Sequence, residues 1–421
     1  MQTLEEIAPS SEARVTGRVR PWSVLASPSF QKLWIATTLS LFGDFFSYIA
    51  LAWLVLQLTG SSLALGTVLV VQALPRAVLM LVGGALADRF SARITMLGSM
   101  GLRALAVGPL AVLVLTGHVQ MWEVYGIAVV FGVVDAFFMP ARSSILPQVV
   151  ADRELEAGNA LMNVTGQTSV ILGPALGGVI VALVGLGWAF AADAACFAVG
   201  FVFILALPGM VRAAGDSMQR AAGIGAQIVA GLRYAWSDIG IRVLLIVVAT
   251  IDFAANGAIA VGLPTLAHGR FGTGAAGFGI LLAAWGVGAT AGAIAAGVIP
   301  PPRRMGWLII LLCAWLGSWM FVVGLLPTLA LAAPAMGLSG IGTGIVNTYG
   351  VSWLQRRTDP AMQGRVMSMV MLASMGLTPV AYAASGAIAQ ANVTLLFVIA
   401  GAMMLACAAG TAASRQVRSL T

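Results

Sequence analysis

Twelve apolar runs, separated by short polar breaks, occupy most of this 421-residue chain. A hydrocarbon core about 30 Å thick is crossed by roughly 20 apolar residues in a helix. Inside it every backbone N–H and C=O must find a partner within the protein, which restricts spanning segments to helices and closed barrels. The runs fall near 31–57, 63–87, 94–116, 119–141, 160–184, 188–207, 241–266, 274–299, 305–326, 329–354, 365–388 and 392–413. Their length and continuity predict an all-α polytopic membrane protein with 12 transmembrane helices. Composition agrees: only 9% of the residues are charged, against about 25% in soluble domains.

The net charge of +7 raises the question of a nucleic-acid partner, and the placement of the charges answers it. Apart from Arg76, Arg103 and Arg270, every lysine and arginine lies in the termini or in alternate loops. That is the positive-inside bias, and it places both termini in the cytoplasm of a multi-pass protein of the inner (cytoplasmic) membrane. No nucleic acid is expected. Cys196, Cys313 and Cys407 lie inside apolar runs without a CxxC spacing and read as core residues. With two histidines, no metal cluster and no nucleotide loop, neither an enzyme nor a cofactor or metal site is expected. Glu5, Glu6 and Glu12 precede the first apolar run, so that run, and not a cleaved peptide, is expected to be the targeting signal.

Residues 1–30 read as a cytoplasmic N-terminal segment, 31–207 as an N-terminal six-helix bundle, 208–240 as a cytoplasmic linker, 241–413 as a C-terminal bundle and 414–421 as a cytoplasmic tail. Ala221 to Trp236 has the pattern of an interfacial amphipathic helix. The halves echo each other. Asp44 in Phe42-Gly43-Asp44-Phe45-Phe46 and Asp252 in Thr250-Ile251-Asp252-Phe253-Ala254 are 208 positions apart, and Asp152 and Asp359 are 207 apart. Two anchors at nearly one offset indicate a parallel six-helix repeat.

Three motifs carry a family resemblance. Gly84-xxx-Asp88-Arg89-x-Ser91-x-Arg93, between the second and third spans, resembles the loop of the major facilitator superfamily, with Ser91 where that family usually has Gly. The resemblance implies two pseudo-symmetric six-helix bundles and a latch at Gly84, Asp88, Arg89 and Arg93 that gates the cytoplasmic side; a turn that only sets topology is the alternative. The corresponding loop in the second half, Gly297 to Arg304, lacks the acid, so such a latch is asymmetric. Ser169-xxx-Gly173-Pro174-xx-Gly177-Gly178 resembles the superfamily's antiporter motif, with Ser169 in place of Gly, and implies export. The glycines permit close helix contact, Pro174 removes one backbone bond, and ordinary packing is the competing reading. The stretches Ser27 to Trp34, Ser40 to Asp44 and Pro140 to Pro147 are similar to the branch holding enterobactin exporters and macrolide efflux proteins. Many drug–proton antiporters of this superfamily carry an arginine midway along the fourth helix, and residues 124–134 here have none.

Ionisable residues inside hydrocarbon cost about 2.5–3.5 kcal/mol or more and are functional candidates by default. Asp44, twelve positions past Lys32, and Arg76, twelve before Asp88, each lie about 18 Å deep and are expected to pair. A proton-coupling role falls on Asp44, Arg76 and Asp252, with a static Asp44–Arg76 bridge as the alternative. Arg103 and Asp135, about 15 and 10 Å from the cytoplasmic face, form a second expected pair beside the latch, structural or gating. Asp193 reads as interfacial.

Substrate is expected to meet Phe45, Phe46, Tyr48, Gln72, Asn163 and Gln167 from the first half, and Asn256, Trp285, Asn347 and Tyr349 from the second. Met371 and Met375, in a stripe with Met367, suit varied apolar ligands or plain packing. The function expected from residues and resemblance together is efflux of a small amphipathic or hydrophobic compound (drug, macrolide or siderophore-like) by proton-coupled antiport, in a monomer whose partners are substrate, protons and the lipid bilayer. A lipid or lysolipid flippase, nutrient uptake and a non-transporting membrane sensor are the rivals.

Overall fold

The computed structural model describes residues 23–87, 91–208, 233, 236, 238–359 and 362–420. Among them are twelve helices long and apolar enough to cross a membrane. They are α1 Pro28–Thr59, α2 Ser62–Ala87, α3 Ala92–Thr116, α4 Met121–Val149, α5 Leu155–Leu183 and α6 Leu186–Leu205 in the first half. The second half has α7 Ile239–His268, α8 Gly274–Val298, α9 Met305–Leu325, α10 Leu329–Arg357, α11 Gln363–Ala391 and α12 Val393–Ala413. The expected linker and its amphipathic helix lie outside the described residues apart from Pro208, Arg233, Trp236 and Asp238 onward. So do most of the N-terminal segment and, from the loop motif, Asp88 and Arg89.

Local chemistry sets the helix ends. Ser27 caps α1 by accepting the Phe30 N–H at 3.4 Å, and Pro28 supplies a first-turn φ. Gly60 closes the helix in the left-handed region at φ 62°, where a side chain would be strained. Ser91, standing where the resembled family has Gly, caps α3 by accepting the Ile94 N–H at 3.3 Å. Asn392 caps α12, accepting from Thr394 and Leu395.

Two helices run differently from the apolar pattern. The fourth span was expected to stop near 141, but α4 continues to Val149. Ile145 and Leu146 are buried there, and Leu146 lies with Phe30 against the open face of Gly158, so the extension is held by packing under α1 and α5. In α7 a π turn over Ala258–Gly262 interrupts the α-helical register, and α11 breaks between Met375 and Thr378.

Helix pairing in one half repeats in the other with six added to each label. Thus α1 packs on α5 and α6, α2 on α4, and α3 on α6; α7 packs on α11 and α12, α8 on α10, and α9 on α12. Between the halves the main pairs are α5 with α8 and α2 with α11, which exchange under the same rule. The expected pseudo-symmetric fold of two six-helix bundles is therefore what the chain adopts.

Large apolar side chains such as Leu105, Leu183, Val298 and Ile94 lie exposed on the outer face, as a lipid-facing surface requires. Exposed Trp122, Trp188 and Trp307 sit in the first turns of α4, α6 and α9, the positions of interfacial aromatic belts.

Candidate functional site

Four charged side chains from α1 to α4 converge. Arg103 of α3 is only 1% exposed, the bulkiest fully buried side chain described. One terminal nitrogen donates to Asp44 Oδ1 of α1 at 2.9 Å, and the other binds Asp135 of α4. Arg76 of α2 stands 3.8 Å from the second oxygen of Asp135. Four helices thus contribute a row of alternating charge: Asp44, Arg103, Asp135, Arg76. The row is neutral as a whole, which makes it tolerable in a low-dielectric interior. The Arg103 guanidinium also lies over the rings of Phe131, Phe138 and Phe197, 5.1 to 5.2 Å from each centroid. Cation–π contacts contribute about 0.5–1 kcal/mol at exposed sites and about 2 kcal/mol or more when desolvated, as here.

This arrangement corrects one expected pair. Asp44 binds Arg103 and not Arg76, which turns to Asp135. Depth along each helix permitted either choice; rotation about the helix axes decided it. Arg103 and Asp135 do meet, but as the centre of the row and not as a separate pair beside the latch.

Beside the row is a cavity of about 360 Å³, within the range of small-molecule sites. Asp44, Phe45, Ser47 and Tyr48 line it from α1, Leu69, Gln72 and Arg76 from α2, and Phe131, Asp135 and Phe138 from α4. Phe190 of α6 closes one wall, and Met375, Thr378 and Tyr382 of α11 face it from the second bundle. Most of the wall is aromatic and aliphatic, with the charges gathered on one side. A bound compound would place apolar bulk on rings and one polar or charged group near Asp44 and Arg76.

Of the expected substrate contacts, Phe45, Tyr48, Gln72 and Met375 line this cavity. The others do not. Phe46 is buried against Gly177. Asn163 and Gln167 are exposed on α5, and Asn347 and Met371 are exposed as well. Asn256 and Trp285 are half-buried elsewhere, and Tyr349 is buried, donating to the Ile299 carbonyl at 2.8 Å. Asp252 is also outside the lining, half-buried and facing the Ser374 side chain of α11. Phe131, Phe138 and Phe190 were not anticipated. The first two stand four before and three after Asp135, on its own helix face, which was a readable signal.

The motif residues take definite places. Gly173 and Gly177 face Phe45 and Ile49 of α1, while Gly178 lies against the Ala275 and Ala276 backbone of α8 and the Pro174 carbonyl against Gly279. The motif therefore seats α5 between its own bundle and the opposite one. Gly66 meets the Gly386 backbone of α11 in the same layer. At the end carrying the α1–α2 loop the halves are tied by Ser62 to Thr265 at 3.0 Å and Ser61 to Gln390 at 2.9 Å, with Trp53 edge-on to His268. From the loop motif, Arg93 donates to the Ile204 and Leu205 carbonyls, and Lys32 to the Ala206 carbonyl. Both cations cap the C-terminus of α6 within the first bundle.

The sequence pattern of the transmembrane secretion effector family matches residues 19–419. The chain is 27% identical over 361 residues to the multidrug efflux pump Tap of Mycolicibacterium fortuitum, covering 83% of this chain and 86% of that one. To the enterobactin exporter EntS of Shigella boydii it is 24% identical over 345 residues, 80% of each. Among solved structures it resembles the nucleoside transporter NupG, with TM-score 0.74 at 14% identity over 91% of this chain and 98% of that one. A POT family transporter in complex with 5-aminolevulinic acid superposes with TM-score 0.72 at 12% identity, over 93% and 97%. These structural likenesses speak to the fold.

Proposed function

The chain is a member of the transmembrane secretion effector family of the major facilitator superfamily, and from that premise we propose that it exports a small amphipathic or hydrophobic compound in exchange for protons. The observation that carries the reading is the position of Asp44. It lies midway along α1, lines the cavity and binds the buried Arg103 in one contact set. A proton and a substrate bearing a cationic or hydrogen-bonding group would compete for the same carboxylate. With Asp44 ionised, the row is neutral and the carboxylate can receive substrate. Protonation removes one negative charge, leaves Arg103 to Asp135, and disfavours a cation in the cavity. Rocking of the bundles about the α5–α8 and α2–α11 contacts would expose this site to each side in turn. Arg76 tunes the row from its open end. Arg93 and the neighbouring loop gate the cytoplasmic side, and a single chain in the inner membrane with cytoplasmic termini suffices.

The relatives named as a multidrug efflux pump and enterobactin exporters support outward transport. The test is accumulation of a panel of lipophilic cations, macrolides and siderophores in cells expressing the wild type or Asp44→Asn, with and without a protonophore. Lower accumulation of at least one compound, abolished by both the substitution and the protonophore, is expected. Export that persists in Asp44→Asn with its protonophore sensitivity intact would remove Asp44 from the coupling role.

A further inference from the structure

Asp193 of α6 was expected at the membrane interface, and the structure places it elsewhere. It is 0% exposed, between α6 and α1. Ser47 of α1 donates to Oδ2, and Oδ1, against the open face of Gly43, has no hydrogen-bond partner. Asp193 makes no ion pair among the described residues. The charged and titratable groups that face it are Asp44 on α1, Arg103 on α3 and Cys196 on its own helix. Asp135 of α4 lies beyond, held by the other nitrogen of Arg103. Arg103 has already committed both terminal nitrogens to Asp44 and Asp135. An ionised carboxylate here would be buried with one neutral donor and one bare oxygen, an arrangement that proteins avoid because the lost hydration is not replaced.

We propose that Asp193 is a second proton-carrying group of the N-terminal bundle, neutral in this conformation and joined to the cavity by Ser47. Ser47 both touches Asp193 and lines the cavity, so its hydroxyl is a link between a dry carboxyl and the wet site. A hydroxyl can accept a proton on one side while donating its own on the other. On release, the Ser47 hydroxyl first turns from Oδ2 toward the cavity so that its oxygen accepts from a protonated Oδ2, and the proton of Asp193 then passes to the Ser47 oxygen as the Ser47 proton moves to water in the cavity. That leaves a carboxylate and a hydroxyl that can turn back to donate to it. Asp193 needs no direct exposure to be loaded or emptied. Its neutral state is independent of what the protein transports; only the consequence for coupling rests on the antiport reading above.

The test is infrared difference spectroscopy on the purified full-length protein in lipid, titrated between mildly acidic and mildly alkaline buffer. Wild type should show the carbonyl stretch of a protonated carboxylic acid at neutral pH. Asp193→Asn should lose that band while Asp44→Asn retains it. In Ser47→Ala the band should move to higher frequency, because its hydrogen bond is gone; this variant serves if Asp193→Asn does not fold. Absence of the band in wild type, its persistence in Asp193→Asn, or an unshifted band in Ser47→Ala would overturn the proposal. So would a band removed by sodium ions at constant pH, which would make the pocket a metal-cation site. None of these readouts involves transport, so an error in the substrate reading cannot be mistaken for failure here.

Discussion

At the midpoint of α1 the carboxylate of Asp44 is clasped by a fully buried arginine, whereas Asp252, at the repeat-related place in α7, faces only the Ser374 side chain and makes no ion pair among the described residues. The contrast extends through the bundles. The N-terminal half holds the four-charge row and nearly all of the cavity wall. In the C-terminal half, α8 and α10 approach backbone to backbone: Gly288 lies on Gly337, Gly292 on Ile341, Gly340 on Trp285 and Gly344 on Ala289. Gly317 of α9 and Gly401 of α12 meet in the same way. One pairing scheme therefore carries two kinds of interior, a half with the charged row and most of the cavity wall and a half sewn together backbone to backbone.

The sharpest way to break this contrast is to remove the buried cation. Arg103→Met leaves Asp44 and Asp135 without their partner, and a loss of about 3–5 kcal/mol is expected from breaking a buried pair on one side. Thermal unfolding in detergent and the yield of folded protein would register it. Adding Asp44→Asn and Asp135→Asn to Arg103→Met should restore much of that loss, since no uncompensated acid then remains. If Arg103→Met alone were neutral, the row would not be an interior feature.

A smaller effect is expected in the other half. A Cβ at Gly344 would overlap the Ala289 carbonyl on α8, so Gly344→Ala should force α8 and α10 apart at a cost of about 1–3 kcal/mol. Gly126→Ala on α4, where nothing lies within 4 Å of the added carbon, should cost nothing and gain up to about 1 kcal/mol in helix propensity. Equal effects of the two substitutions on melting temperature would deny the C-terminal half its special packing.

The least effect concerns the described segment entering α7. Asp238 accepts from the Gly240 and Ile241 N–H groups and from Arg357 Nε at 3.1 Å, and Arg357 also stacks on Trp353. Partial burial pushes the Asp238 carboxyl up, but the Arg357 hydrogen bond, the two backbone donors and the Arg357 charge outweigh it and hold it below the usual carboxylate value. A lowered folded value means the stabilisation is complete above the ordinary carboxylate range and fades as pH falls through the folded value. Asp238→Asn should therefore lower stability at neutral pH by about 1 kcal/mol or less, as suits an exposed pair and cap. That difference from wild type should shrink in acid when melting is followed against pH.

Much of this was legible in the sequence because lipid imposes a simple code. Twelve apolar runs gave twelve helices, and the charges deepest in the first-half runs proved to line the cavity (Asp44, Arg76, Asp135) or to lie buried between helices (Arg103, Asp193). The Gly-Pro and Gly-Gly steps of α5 marked a place where helices touch closely. What could not be read was azimuth. A helix turns through 3.6 residues while rising 5.4 Å, so counting from a loop fixes how deep Asp44, Arg76 and Arg103 lie but not which way they point. Depth alone therefore pairs Asp44 with Arg76 as readily as with Arg103. Asp193, near a helix end in sequence, reads as interfacial, yet α6 packs its face against α1 there. Asn256, Trp285, Asn347 and Tyr349 lie on helices expected to line the cavity, but none of them lines it, because the repeat copies helix pairing without copying chemistry.

The most direct measurement is made in vesicles containing the purified protein, with ethidium as the transported lipophilic cation and an imposed pH gradient as the only driving force. Wild type, Asp44→Asn and Asp252→Asn are compared at equal protein content. Gradient-driven ethidium movement that vanishes in Asp44→Asn and survives in Asp252→Asn is expected if the N-terminal half carries the proton chemistry. Movement that survives in Asp44→Asn and vanishes in Asp252→Asn would contradict it.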